Sequence, residues 1–277
     1  MEEPSERTAL VTGATDGLGR AVATELARQG AALVVHGRDE ERCRAAVAQI
    51  ERATGNPRLR WERADFASLD EVRSMAARLL DSDTPIDVLV NNAGVGTTLP
   101  GGGERMESLD GLELRFQVNY LSGYLLTRLL LPMLPDGGSR RIVNVSSAGQ
   151  TAIDFDDPML EREYSGTRAY CQSKLAQIMF TFDLADELRG REVTANCLHP
   201  ATYMPTKIVF AARARAVSSI EQGVEATLRL ITSEELDGVS GRYFNGVHEA
   251  RADPQAYDPE ARARLRALSD RLTATLG

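Results

Sequence analysis

Tyr170 and Lys174 stand four residues apart in the run Tyr170-Cys171-Gln172-Ser173-Lys174. On a helix that spacing sets both side chains on one face. A free phenol titrates near pH ~10. A cation held beside it favours the phenolate, and proton exchange becomes feasible near neutrality. Of the 32 basic residues only Lys174 and Lys207 are lysines. A position that keeps lysine in so arginine-rich a chain is one that needs an amine. The competing interpretation is a surface tyrosine beside a solvated lysine. Upstream, Asn144-Val145-Ser146-Ser147 closes an apolar run. A hydroxyl at the carboxyl end of a parallel strand faces the ligand crevice, where it can hydrogen-bond an oxygen that develops negative charge.

A second cluster is Thr12-Gly13-Ala14-Thr15-Asp16-Gly17-Leu18-Gly19, between an apolar run and an amphipathic one. Glycines allow a tight turn and let the backbone approach a pyrophosphate, and the helix that follows offers unpaired N–H groups. The spacing is Gly-x3-Gly-x-Gly rather than the longer Gly-x-Gly-x-x-Gly fingerprint. In a dinucleotide fold an acid at the end of the second strand holds the ribose 2′-hydroxyl, whereas arginine suits a 2′-phosphate. Here the second run ends in His36-Gly37-Arg38-Asp39. His36 stands where the acid is expected and Arg38 follows, which favours NADP over NAD. Asp39 counts against this unless it caps the next helix. Asp16 adds negative charge at the same place.

These residues need a scaffold. Short apolar runs at 8–12, 31–36, 59–64, 86–90, 141–146, 193–198 and 242–245 read as strands buried on both faces. Amphipathic stretches at 17–29, 40–54, 69–80, 109–133, 169–189 and 220–231 read as helices. The alternation predicts an α/β fold: one doubly wound Rossmann domain over residues 1–277, with a parallel seven-stranded sheet and helices on both faces. Residues 94–105 form a loop, 149–167 an acidic insert, 201–219 a lid or substrate loop, and 259–276 a C-terminal packing helix. The 277 residues carry a formal charge of −8, which argues against a nucleic-acid partner. No apolar run is long enough to span a bilayer, and the start Met1-Glu2-Glu3-Pro4 lacks the features of a secretory signal. Three scattered cysteines and three scattered histidines suggest neither disulfides nor a metal site. A cytoplasmic protein is expected.

Together these motifs resemble the short-chain dehydrogenase/reductase family of the classical type. The likeness spans almost the whole chain and rests on residues 12–19, Asp65, Asn91-Asn92-Ala93-Gly94, Asn119, Ser146-Ser147, Tyr170 with Lys174, and His199-Pro200, in the family's order. Val118-Asn119-Tyr120-Leu121 and residues 169–175 look like its retinol-dehydrogenase-like branch. The resemblance implies roles. Gly13, Thr15, Asp16, Gly17, Leu18 and Gly19 would shape the pyrophosphate turn, with Arg38 at the 2′-phosphate. Asp65 would hold the adenine edge, followed by Phe66; its other reading is a helix cap. Asn91, Asn92, Ala93 and Gly94 would line the adenosine side and support the sheet. Tyr170 would be the acid or base, Lys174 would bind the nicotinamide ribose and lower the tyrosine pKa, and Ser147 rather than Ser146 would be the catalytic serine. Asn119 would hold a relay water, or else satisfy helix backbone. Pro200 and Thr202 would flank the nicotinamide, with Thr206 competing for the carboxamide contact.

Two departures stand out. Pro200-Ala201-Thr202 replaces the usual Pro-Gly, and 23 residues separate Ser147 from Tyr170, a long gap that holds the acidic insert. The resemblance implies an NADPH-dependent carbonyl reductase, or the reverse alcohol dehydrogenase, acting on a small to medium hydrophobic carbonyl or alcohol. It also implies a homodimer or homotetramer. The alternatives are a catalytically silent NADP-binding regulatory or sensor protein, or an epimerase or dehydratase that recycles its cofactor.

Overall fold

A computed structural model describes residues 7–82, 85–98, 104–134, 140–212 and 215–274. The strands are β1 (Thr8–Val11), β2 (Ala32–Gly37), β3 (Leu59–Arg63), β4 (Val88–Asn91), β5 (Arg140–Val145), β6 (Val193–His199), β7 (Tyr243–Asn245) and β8 (His248–Glu249). They form one sheet in the order β3-β2-β1-β4-β5-β6-β7-β8. The first seven pair in parallel, with Leu10 opposite Val34 on one side and Leu89 on the other. Order reverses between β1 and β4, and such a switch opens a ligand crevice at the carboxyl ends of the strands.

Successive residues of β1 feed two different cores. Leu10 packs with Met75, Leu125 and Met179, from helices α3 (Leu69–Asp81), α5 (Ser122–Leu130) and α6 (Gly166–Glu187). Ala9 and Val11 pack with Val22 and Leu230, from α1 (Gly17–Arg28) and α8 (Ile220–Thr232). Burial on both faces explains why these strands lack polar alternation. Each of the first three helices begins on a side-chain cap: Asp16 for α1, Asp39 for α2 (Glu40–Thr54) and Ser68 for α3.

Four expectations change. The sheet has eight strands, and β8 pairs antiparallel to β7. Two exposed residues leave no apolar pattern, although Asn245-Gly246, with Gly246 at φ 60°, is a hairpin signal. The stretch 109–133 is not one helix. Glu113 caps a short α4 (Leu114–Phe116), a π-helical turn spans Gln117–Leu121, and α5 follows. Residues 109–112 are instead a turn, in which the Ser108 hydroxyl accepts the N–H groups of Asp110 and Leu112. Helix α6 starts at Gly166, three residues early, because Ser165 caps it. The lid contains its own helix, α7 (Lys207–Ala211).

The C-terminal helix α9 (Pro259–Ala274) packs as expected, with the Ser269 hydroxyl 2.6 Å from the Tyr120 phenol. The expected apolar position Leu276 and the glycines 101–103 lie outside the described residues. No described helix is long and apolar enough to cross a membrane.

Candidate active site

The glycine turn is braced from β4. The Thr12 hydroxyl accepts the N–H groups of Asn92 and Ala93, and the Asn92 amide donates to the carbonyls of Thr12 and Gly13. Gly13 takes φ 64°, in the left-handed region. A Cβ on Gly19 would lie 2.5 Å from the Gly13 carbonyl oxygen, so only glycine lets helix and turn close together. Asp16 accepts the Gly17 N–H at 2.8 Å. The Leu18 side chain is buried among the α1 apolar residues, which leaves its backbone to face a ligand. A glycine turn that opens onto the N-terminus of α1 has the backbone polarity that an anion such as a pyrophosphate calls for. Asn92 serves the turn through its amide rather than by projecting into it.

The end of β2 differs from expectation. The His36 side chain turns inward. Its Nδ1 accepts the Gly13 N–H at 3.2 Å, its Nε2 lies 3.0 Å from the Ala64 carbonyl, and its ring stacks on Phe66 at 4.5 Å. Burial pushes the imidazole down from 6.5 to about 4, so it is neutral and structural. Gly37 stands at the crevice instead, where a Cβ would come within 2.5 Å of the Thr15 methyl carbon. Asp39 accepts the Arg42 N–H and is spent as a helix cap. Arg38 is exposed, and its guanidinium has no partner among the described residues. The Asp65 carboxylate accepts the Ala67 N–H at 3.0 Å, while the N-cap role belongs to Ser68.

His36 gives a pH prediction. Its folded pKa lies below the unfolded value, so its contribution is complete above pH 6.5 and is lost as pH falls toward 4. The loss is about 3 kcal/mol. Urea unfolding of His36→Gln between pH 7 and pH 4.5 should show a correspondingly smaller fall than wild type. Equal falls would contradict it.

At the carboxyl end of β5 the two serines separate in role. The Ser146 hydroxyl donates to the Lys174 carbonyl at 2.7 Å, inside the fold. The Ser147 hydroxyl accepts the Gly149 N–H at 3.1 Å and stands beside the Tyr170 phenol, close enough to act on its charge. Tyr170 and Lys174 lie one turn apart on α6, with the ammonium 5.8 Å from the centre of the phenol ring. The phenol's pKa nonetheless lies above the usual range, because burial outweighs the lowering by Ser147. The expected depression by Lys174 is absent. The ammonium is held by the Val145 carbonyl and Gln177 Oε1, both at 2.9 Å. Burial alone draws its own pKa down to about 7.

Asn119 sits in the π-helical turn. Its Oδ1 accepts the Val95 N–H at 2.7 Å, and its Nδ2 donates to the Val95 carbonyl and the Ser173 hydroxyl. The side chain therefore clamps the strand-four loop rather than helix backbone. A Cβ on Gly94 would lie 3.2 Å from Asn119 Oδ1 and 3.7 Å from Lys174 Nζ, so these groups converge on one spot. At the end of β6 the Thr202 hydroxyl meets His199 Nε2 at 3.0 Å. Thr206 lies instead over Gly17, with its methyl carbon 3.4 Å from a Cβ built there. Lys207 and Arg42 both pair with Asp16.

Sequence reasoning missed the groups that hold the substrate side. Arg115 and Glu113 form an ion pair at 0% and 1% exposure. Arg115 also donates to the carbonyls of Gly96 and Thr97 and to the Tyr164 phenol. The available signal was a glutamate and an arginine two residues apart, between leucines and a phenylalanine. Across the crevice, Ile208 of α7 packs against Gly96, where a Cβ would fall 2.6 Å from its methyl. Tyr203 adopts φ 47°, near enough to Tyr170 to act on its charge. Three of the insert's carboxylates pair with arginines: Asp154 with Arg162 and Arg168, Asp156 with Arg264, and Asp157 with Arg162. Among the described residues no group of histidines, cysteines and carboxylates could hold a metal ion.

Residues 7–216 match the family described as short chain dehydrogenase. The chain belongs to the short-chain dehydrogenase/reductase family. This dehydrogenase is 38% identical to human retinol dehydrogenase 13, covering 96% of this chain and 84% of that one. It is 35% identical to human retinol dehydrogenase 14, covering 98% and 87%. It is thus a member of the retinol-dehydrogenase-like branch and an oxidoreductase acting on CH–OH groups. Its fold is similar to that of an uncharacterised protein from Mycobacterium paratuberculosis, with TM-score 0.77 and 30% identity over 97% of this chain and 94% of that one. A short chain dehydrogenase from Pseudomonas syringae gives TM-score 0.71 at 26% identity, over 88% and 96%.

Proposed function

We propose that this enzyme interconverts a hydrophobic alcohol and its carbonyl compound with NADP(H). The observation that carries the reading is the grouping of the Ser147 hydroxyl beside the Tyr170 phenol, with Lys174 over the ring and Asn119 beside Gly94, all at the carboxyl ends of the strands. Gly13, Thr15, Asp16, Gly17, Leu18 and Gly19 hold the pyrophosphate. Asp65, the Phe66 backbone, Asn92, Ala93 and Gly94 serve the adenosine side, and Pro200 and Thr202 flank the nicotinamide. When bound, the nicotinamide supplies or accepts the hydride.

In the reducing direction Tyr170 gives its proton to the carbonyl oxygen while Ser147 donates a hydrogen bond to the same atom. The raised phenol pKa keeps that proton in place at neutral pH. Lys174 binds the nicotinamide ribose and supports the negative phenolate, and a water near Asn119 returns the proton. The half-exposed apolar side chains of the lid, Tyr203, Ile208 and Phe210, suit a hydrophobic substrate.

Three features favour NADP over NAD: Gly37 leaves no acid at the end of β2, Asp39 is occupied as a cap, and Lys207 and Arg42 neutralise Asp16. Arg38 is then the partner of the 2′-phosphate. Titration with NADPH and NADH at fixed salt tests this. Arg38→Leu should weaken NADPH binding about 10- to 100-fold, the worth of a hydrogen bond to a charged group. NADH binding should stay as in wild type. Equal losses for both nucleotides would contradict the assignment.

A further inference from the structure

We propose that Gln177 is a positioning residue for Lys174: its side-chain oxygen holds the ammonium, in charged form, against the ring of Tyr170. Gln177 lies one turn beyond Lys174 on α6, and both are buried, at 4% and 5% exposure. The ammonium has two acceptors, the Val145 carbonyl and Gln177 Oε1. The first is backbone and cannot be varied by substitution. The second is a choice of side chain.

The setting makes that choice matter. No carboxylate among the described residues acts on Lys174, and burial alone shapes its charge. The titratable groups that face it are Tyr170 on its own helix and His199 at the end of β6, which burial and then the lysine's charge push down. Neither offers a negative partner at neutral pH. From the other packed elements it meets Gly94 and the β5 backbone. A buried ammonium without counter-ion depends on hydrogen bonds to its charged form. A neutral amide stabilises the cation without cancelling the positive field at the phenol, as a carboxylate would. The helix turn that carries Gln177 is tied to the sheet: the Thr181 hydroxyl donates to the Gln177 backbone carbonyl and accepts from the Asn144 side chain on β5.

The proposal rests on Lys174 belonging to the proposed active site, but its test does not read turnover. Two lysines make the chain well suited to lysine labelled with carbon-13 at Cε. The spectrum holds two signals, and Lys207→Arg identifies the one from Lys174. Its midpoint in wild type should lie about 7. Gln177→Leu should lower that midpoint by about one to two pH units. Gln177→Glu should raise it and covers the case in which the leucine variant fails to fold. Thr181→Val disturbs the same polar seam without touching the ammonium, and should leave the midpoint in place. A midpoint unmoved by either Gln177 variant overturns the proposal. So does an equal shift in Thr181→Val, which would reveal general loosening. If the titration behaves as stated and the enzyme still reduces no carbonyl, the functional reading fails and the positioning role stands.

Discussion

Tyr170→Phe is expected to lower turnover about 10²- to 10⁴-fold, the usual worth of a positioned proton donor. Nucleotide affinity should remain near the wild-type value. The variant deletes one oxygen beside Ser147 and keeps the ring that Lys174 overlies. The pH profile separates this from a packing defect. Burial raises the phenol's pKa, so the wild-type enzyme carries the proton needed for reduction at neutral pH, whereas alcohol oxidation needs the phenolate and should accelerate as pH rises. In the phenylalanine variant both residual rates should lose that dependence. Retained turnover with an unchanged profile would mean another group transfers the proton.

Arg115→Leu is expected to cost about 3–5 kcal/mol of stability, the penalty for leaving one member of a buried ion pair alone. The stranded group is Glu113, whose carboxylate otherwise meets Arg115, the Tyr164 phenol and the Phe116 N–H. Two loop carbonyls, of Gly96 and Thr97, lose their donors in the same step. Urea unfolding measures the loss. The double variant Arg115→Leu with Glu113→Gln should recover part of it, because the uncompensated charge is gone. A single variant as stable as wild type would show that the loop is held by other contacts. Because the pair anchors residues 96–97 beside the crevice, the single variant should also raise KM more than it lowers kcat.

What was readable from the chain followed from periodicity and from backbone demands. β1, β4, β5 and β6 lie between two cores, so short, mainly apolar runs without strict alternation announced them. The glycine turn was readable because close approach at Gly13 and Gly19 tolerates nothing larger. Harder features depend on contacts between distant segments. Nothing local marks the π-helical turn at Asn119; it matches a clamp on Val95, 24 residues away. His36 stands where the acid is expected, and that it is structural agrees with the sequence, but its partners Gly13, Ala64 and Phe66 are ones the strand's own sequence cannot reveal. Gln177 stayed hidden among the apolar residues of α6, since its significance lies in the atom it points at.

Hydride transfer is the central claim, and deuterium follows it directly. The purified enzyme is incubated with NADPH deuterated at nicotinamide C4 and a panel of hydrophobic aldehydes and ketones, and the alcohols formed are weighed by mass spectrometry. The account predicts at least one alcohol carrying deuterium on its carbinol carbon with wild type, and about 10²- to 10⁴-fold less of it with Tyr170→Phe over the same period. Saturating NADPH binding with no labelled alcohol from any carbonyl would contradict it and would favour a nucleotide-sensing role for the fold.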